Sequence, residues 1–306
     1  MKEVPGQHAH ARILSDLTRH FLTGAELDRD ALEALLDRAA ALKASPRSSR
    51  ALDDAVVALL FEQPSTRTRV SFEAGVVELC GHPMVLRAGE LQLTRGESPG
   101  DTARVLSRHV QALGVRTHDH ALLDELAAAA TIPVFNMLSA AHHPCQALAD
   151  LMTLRAAFGR LEGLRVAYVG DGNNVARSLA LLGATAGVEV VVASPDGFAL
   201  DGVAPVADPV AAVAGAHALY TDVWVSMGDE SSADERRTAL APYRVDDALL
   251  DRAAPQAVAL HCLPAHPGEE ITAEVLYGSR QRIWEQAENR RHVQKALLEW
   301  LLATTP

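Results

Sequence analysis

Residues 65–69 read Ser-Thr-Arg-Thr-Arg, a run of hydroxyls and guanidinium groups in one short stretch. An apolar run, Ala55 to Leu60, precedes it and reads as a buried strand, while Val70 to Leu79 reads as a helix. Ser65, Thr66, Arg67 and Thr68 therefore occupy a strand-to-helix turn, where backbone N–H groups lack intrahelical partners and the helix dipole is positive. Such a turn suits a phosphate or another compact oxyanion. Ser and Thr are also common N-caps, so Ser65 alone has an ordinary reading, but the whole cluster exceeds what capping needs.

Further along stand Arg116, at the end of an apolar strand, and the run His142-His143-Pro144-Cys145-Gln146. Singly, Arg116 reads as a solvated or ion-paired group and His143 as a capping residue. With the Ser65–Thr68 turn, Arg116, His143 and Gln146 supply donors for a carbonyl oxygen as well as a phosphate. Acyl transfer needs that layout, because negative charge develops on the carbonyl oxygen in the transition state. Asp222-Val-Trp-Val-Ser226-Met227 and Asn174 offer a carboxylate, an amide and turn backbone, the groups a zwitterionic amino acid requires, although Asp222 and Ser226 could simply cap a turn. His261-Cys262-Leu263-Pro264 contains metal-ligand types but has no second Cys or His pair at zinc spacing, so no metal is expected. Its ordinary reading is a buried free thiol. Arg290, in Ala287-Glu288-Asn289-Arg290, reads by itself as a surface arginine near a helix start.

One motif points elsewhere. Val166 to Asn174 reads Val-Ala-Tyr-Val-Gly-Asp-Gly-Asn-Asn, a Gly-x-Gly after a strand, with Asp196 after the next strand. That resembles a dinucleotide fingerprint, but Val175 stands where the third glycine belongs, and nothing else in the chain needs NAD.

The stretch Phe61-Glu-Gln-Pro-Ser-Thr-Arg-Thr-Arg-Val-Ser-Phe-Glu73 resembles the carbamoyl-phosphate signature of the carbamoyltransferases, in its ornithine-type version. His143-Pro-Cys-Gln-Ala-Leu-Ala-Asp150, Asp222 to Gly228, His261-Cys-Leu-Pro-Ala-His266, and Gln92-Leu93 with Arg95 resemble further signatures of the family, from about Phe21 to Leu301. The resemblance implies an enzyme that transfers the carbamoyl group of carbamoyl phosphate to the side-chain amine of L-ornithine, giving L-citrulline and phosphate by direct attack. It implies that Ser65, Thr66, Arg67, Thr68 and Gln92 bind the phosphate, Gln92 from a neighbouring subunit. Arg116 and His143 would hold the carbamoyl oxygen and Gln146 its amide, with Cys262, Leu263 and Arg290 beside the group. Arg116, His143, Cys262 and Arg290 would be the catalytic residues. Asn174, Asp222, Ser226 and Met227 would bind ornithine, with Asp222 on the α-ammonium or steering the attacking amine. A cis peptide before Pro264, no metal or organic cofactor, and a homotrimer or multiple of trimers with shared sites are implied too.

The sequence departs from the family pattern in four places. Ser194 to His217 is short and lacks a helix and a strand. Arg177 replaces a usual His or Asn, Ala140-Ala141 an acidic pair, and Thr94 and Pro267 a Gly and an Arg in two loops. A carbamoyltransferase for a different diamino acid is therefore the alternative acceptor reading. A catalytically weak regulatory or binding paralogue is the alternative from another class, although Arg67, His143 and Cys262 are all retained.

A chain of 306 residues with 48% hydrophobic content has the length of about two domains and ample core. Its net charge of −11 disfavours nucleic acid as a partner. Three scattered cysteines form no disulfide framework, no signal peptide precedes residue 12, and no apolar run nears the ~20 residues of a membrane helix. A cytoplasmic protein without a membrane partner is expected.

The elements that must position these groups alternate. Strands are predicted at Met84–Leu86, Ala112–Val115, Ile132–Phe135, Leu164–Val169, Val188–Val192, His217–Val223 and Ala257–Leu260, besides Ala55–Leu60. Helices are predicted at Ala25–Leu42, capped by Thr23, at Asp101–Val110, capped near Ser98, and at Ala121–Ala130, Ala147–Phe158 and Val175–Ala186. A final helix runs from Trp284 or Glu288 to Leu302. The pattern predicts two doubly wound α/β domains with parallel sheets, joined by helices. The boundaries are 1–142 for carbamoyl phosphate, with a terminal helix 288–306 packing back on it, and 143–287 for the amino acid. Polar residues at the strand ends, Ser65, Arg116 and Asn136, mark the ligand side of the first sheet.

Overall fold

The computed structural model describes residues 18–204, 206–226 and 230–303, so the expected ligand contact Met227 lies outside the described residues. The chain divides into two compact units. The first takes the residues up to Glu26, Asp37–Cys145 and those from Arg291 on; the second takes Leu27–Leu36 and Gln146–Arg290.

The first unit contains β1 (Val56–Phe61), α2 (Thr66–Glu78), β2 (His82–Arg87), α3 (Pro99–Leu106), β3 (Ala112–Arg116), α4 (His120–Ala129) and β4 (Val134–Leu138). Helix α1 (Arg29–Ala44) precedes them. The strands lie in the order β2-β1-β3-β4, all parallel. Parallel strands covered on both faces need continuous apolar runs rather than alternation. β3 is buried at all five positions, and β1 from Val57 to Phe61. Ala58, Leu60, Leu113, Val115, Leu123 and Leu126 centre one hydrophobic cluster of this unit.

The second unit repeats the scheme with β5 (Arg165–Val169), α6 (Asn174–Thr185), β6 (Glu189–Ala193), α7 (Pro209–Val213), β7 (Ala218–Thr221), α8 (Ala233–Leu240), α9 (Asp247–Leu250), β8 (Val258–His261) and α10 (Ala273–Tyr277). Its order is β6-β5-β7-β8, again all parallel. Three longer helices have residues in both units, α1, α5 (Pro144–Phe158) and α11 (Ile283–Leu302). Among the described residues no helix is long and apolar enough to cross a membrane.

The two parallel sheets match expectation; several details do not. Helix α1 starts at Arg29 and is capped by Asp28, whose Oδ1 accepts from Ala31 N–H at 2.8 Å. Thr23 sits instead in a turn whose N–H groups are gathered by the Glu26 carboxylate. Ser98 does cap α3, accepting from Asp101 N–H. Strand β4 runs later than its apolar signal, so Asn136 is inside it and fully buried. Its Nδ2 donates to Leu22 O and Ser139 Oγ, which makes it a brace between chain segments rather than a ligand group. The segment expected to lack a helix carries the short α7. The helices α8, α9 and α10 have no apolar stripe long enough to announce them.

Gly114 marks how tightly β3 is packed. A Cβ there would come 2.5 Å from two Phe135 ring carbons and 3.1 Å from the Met137 sulfur. Gly114→Ala is expected to destabilise the protein by about 1–3 kcal/mol, as overpacking does, read as a lowered urea midpoint at unchanged slope.

Candidate active site

In the first unit the strand-to-helix turn forms as the sequence implies. Ser65 occupies the N-cap of α2 with extended backbone, φ −153° and ψ 103°, yet its side chain makes no capping hydrogen bond. The ordinary capping role is therefore not what employs this hydroxyl. Ser65 and Thr66 line a cavity of about 720 Å³ together with Arg69, Glu73, Arg87 and Gly89. Arg67 is exposed and Thr68 buried, while Arg69 is engaged with Glu73 at 2.8 Å. Arg116 pairs in register with Phe61, and its carbonyl accepts the N–H of Glu62 at 3.0 Å. Neighbouring strand ends thus bring the guanidinium-bearing residue beside the start of the turn. Arg116 and His143 are both buried, at 8% and 4% exposure. Gln92 opens an exposed 3-10 turn, Gln92–Arg95, and among the described residues it makes no hydrogen bond to the Ser65–Thr68 turn.

In the second unit the ends of β5, β7 and β8 converge on Asp222. Its Oδ1 accepts from the Cys262 thiol at 2.9 Å, and its Oδ2 from Asn173 Nδ2 at 2.9 Å. Asn173 also caps α6, its Oδ1 accepting from Val175 and Ala176 N–H groups and from the Tyr168 hydroxyl. Asn173, which the sequence reading passed over, is therefore the amide that orients Asp222, and Asn174 is the first residue of α6 beside it. A signal was available in the Asn-Asn pair after a glycine turn, where one residue must cap. Ser226 is partly exposed at the end of the described segment after β7.

Burial pushes the Cys262 thiol well above its ordinary pKa, and the neighbouring Asp222 carboxylate raises it further; Arg290 pulls the other way. Cys262 is accordingly a neutral S–H donor. The peptide bond Leu263–Pro264 is cis, as expected, and Leu263 has φ +60°. His261 holds this turn. Its Nδ1 accepts the Leu263 N–H at 2.8 Å, so the ring hydrogen is on Nε2, which donates to Glu270 at 3.1 Å. Arg290 donates to Gln146 Oε1 at 2.8 Å with both groups buried, so the surface reading of this arginine does not hold.

Asp222, His261 and Cys262 each offer an atom within 4.8 Å of the others, as do His266, Glu269 and Glu270. Among the described residues these are the groups that could hold a metal. The thiol is protonated and already donates to Asp222, and the His261 nitrogens are both engaged, so the first set is occupied with its own hydrogen bonds. The dinucleotide reading fails on space. In that motif the second glycine lets a pyrophosphate approach. Here a Cβ on Gly172 would meet Leu200 N at 2.5 Å and Phe198 O at 2.8 Å, so the chain's own backbone fills that approach. Gly172 N–H donates to Phe198 O at 2.8 Å.

Asp150, one helical turn after Gln146 on α5, is fully buried, and burial raises its pKa from 3.8 to about 7 against hydrogen bonds from Gln146 and Gln286. A carboxyl whose folded pKa is raised favours folding below its unfolded pKa, and that contribution is lost as pH rises through the folded value. Its contribution should thus fall by on the order of 4 kcal/mol between about pH 4 and pH 7. Asp150→Asn removes this dependence, so the stability difference between variant and unmodified protein, measured by urea unfolding, should move in the variant's favour across that window.

Comparison with known proteins also finds two domains along the chain. Residues 19–156 match the family model "Aspartate/ornithine carbamoyltransferase, carbamoyl-P binding domain", and residues 162–301 match "Aspartate/ornithine carbamoyltransferase, Asp/Orn binding domain". The chain is 52% identical over 303 residues to a protein of Acidothermus cellulolyticus named ornithine carbamoyltransferase, covering 94% of this chain and 97% of the relative. It is 50% identical over 307 residues to one of the same name from Parafrankia, covering 94% and 97%. Among solved structures, ornithine carbamoyltransferase from Pyrococcus furiosus superposes with a TM-score of 0.89 at 42% identity, covering 94% of this chain and 98% of that one. With both family domains matched in order along the chain, the protein belongs to the aspartate/ornithine carbamoyltransferase family.

Proposed function

We propose that this protein transfers the carbamoyl group of carbamoyl phosphate to the δ-amine of L-ornithine, giving L-citrulline and phosphate. The observation that carries the acceptor half is the Asp222 carboxylate, held by Asn173 and by the neutral Cys262 thiol. A second carboxylate in the substrate side chain, as in aspartate, would meet this acid; an amine is attracted to it. The relatives named ornithine carbamoyltransferase support the same acceptor.

Ser65, Thr66, Arg67 and Thr68 take the phosphate at the α2 N-terminus, where dipole and side chains favour an anion. Arg116 and His143 take the carbamoyl oxygen, and Gln146, Leu263 and Arg290 serve the rest of that group. Asn174, Asp222, Ser226 and Met227 take the amino acid. The δ-nitrogen lone pair forms a bond to the carbamoyl carbon, the bond from that carbon to the bridging phosphate oxygen breaks, and phosphate leaves with the electron pair. Charge accumulating on the carbonyl oxygen and leaving phosphate is met by fixed donors, the most effective form of stabilisation in a buried site. The nitrogen must be uncharged to attack, and an alkylamine has a pKa near ~10.4. Cys262, a hydrogen-bond donor here, is not the group that takes its proton, which leaves Asp222 and the departing phosphate.

The family's trimer, or a multiple of it, is the proposed assembly. It is supported by the exposed Gln92, unbonded to its own phosphate turn among the described residues, and by exposed Val70, Val77 and Met84. Free cysteines suit a reducing cytosol.

The decisive assay is phosphate release and ureido-product formation with L-ornithine, L-lysine, shorter diamino acids, acetylornithine and putrescine. A strong preference for L-ornithine is expected; turnover with another amine alone would keep the carbamoyl half and overturn the acceptor. Arg67→Ala should lower kcat/KM for carbamoyl phosphate roughly 100- to 1000-fold, the size of a lost transition-state donor. Subunits carrying Arg67→Ala mixed with subunits carrying Gln92→Ala should recover part of the activity, because hybrid assemblies restore one intact site. A fully inactive mixture whose subunits nevertheless co-assemble would overturn the shared site.

A further inference from the structure

Three buried side chains of the second unit meet at one oxygen. Asp150 Oδ1 accepts from Gln146 Nε2 at 2.8 Å and from Gln286 Nε2 at 2.7 Å. All three residues are at most 1% exposed. A glutamine amide has two ends of nearly equal shape and opposite polarity, so its neighbours decide which way round it sits. An acceptor at Asp150 draws both nitrogens inward and turns both oxygens outward. The Gln146 oxygen then accepts from Arg290 Nη1 at 2.8 Å. The Gln286 oxygen accepts the His261 backbone N–H at 3.0 Å. His261 in turn holds the Leu263 N–H through Nδ1.

We propose that Asp150 is a positioning residue, whose one oxygen sets the polarity of two glutamines and so aims Arg290 and anchors the His261–Pro264 turn. This rests on the carbamoyl-transfer reading for its effect on turnover, but not for its effect on the turn. Reversing either amide would point an NH₂ at a guanidinium or at a backbone N–H, two donors facing each other in a buried place, which the fold cannot satisfy. With Gln146 fixed this way round, the lone pair of Oε1 that Arg290 leaves over is an acceptor, suited to a ligand's N–H and unsuited to a carbonyl.

The discriminating pair is Asp150→Asn and Asp150→Leu. Asn keeps an oxygen at the meeting point, because presenting its nitrogen would force both glutamines over. Leu keeps the size and removes the acceptor. Asp150→Asn is expected to hold kcat/KM for carbamoyl phosphate within about threefold of the unmodified protein, and Asp150→Leu to lower it about 100-fold while remaining folded by circular dichroism. Hydrogen exchange at the His261 backbone amide should quicken at least tenfold in the Leu variant and stay unchanged in the Asn variant. If Asp150→Leu does not fold, Gln286→Met tests the same relay, with faster His261 exchange expected. The proposal is overturned if the Leu variant keeps both kcat/KM and His261 protection, if the Asn variant fails as badly as Leu, or if Gln286→Met leaves His261 exchange unaltered. An unmodified protein that turns over no amine would overturn the reaction reading alone, and His261 exchange would still decide the orientation.

Discussion

The Asp222 carboxylate is the constraint on which the second unit depends. Only 8% of it is exposed, and a buried acid is tolerated where hydrogen bonds are brought to it. Its two donors come from different strand ends: Asn173 from the turn after β5, and Cys262 from the residue after β8, with Asp222 itself following β7. The sheet register makes this possible, with Tyr168 opposite Tyr220 and Thr221 opposite His261. A slip in either pairing would withdraw one of the two donors from the buried acid. Sheet register and site chemistry are in that sense one requirement.

The first unit meets a different demand with the same architecture. Its strand-to-helix turn offers a helix N-terminus whose cap residue withholds its hydroxyl from the helix. The β1–β3 pairing sets Arg116 opposite Phe61, so a buried guanidinium borders the turn. One unit is built for negative charge, the other for a positively charged or amine-bearing molecule, and both use the carboxyl edge of a parallel sheet. That edge is where strand ends, helix starts and their unpaired backbone groups gather in any open α/β sheet.

Most of this was legible in the sequence, because parallel strands advertise themselves as unbroken apolar runs and because Ser65–Arg69, His143–Gln146 and His261–Pro264 each lie within a few residues. What was not legible depended on distance or polarity. Asp150, Gln286 and Asn289 are helical residues like many others until contacts across 136 residues place them together. Arg290 read as a surface residue because its partner, Gln146, is 144 residues away. Asn136 was misplaced because β4 continues past its apolar start into Asn136-Met137-Leu138. Thr23 lost the cap to Asp28 because both are good caps and only tertiary structure chooses between them. Helices α8 to α10 are too short and too mixed in composition for periodicity to mark.

Gly170 and Gly172 form one motif for two unrelated reasons. Gly170 has φ +134°, which side chains disfavour, whereas Gly172 is needed for the room it leaves to Phe198–Leu200. Glycine spacing thus reports that something passes close by, not what passes. The segment after β6 has its path fixed where it crosses this glycine. A bulkier residue at 172 and a close crossing at 198–200 exclude one another, which makes two positions 26 residues apart a single steric unit.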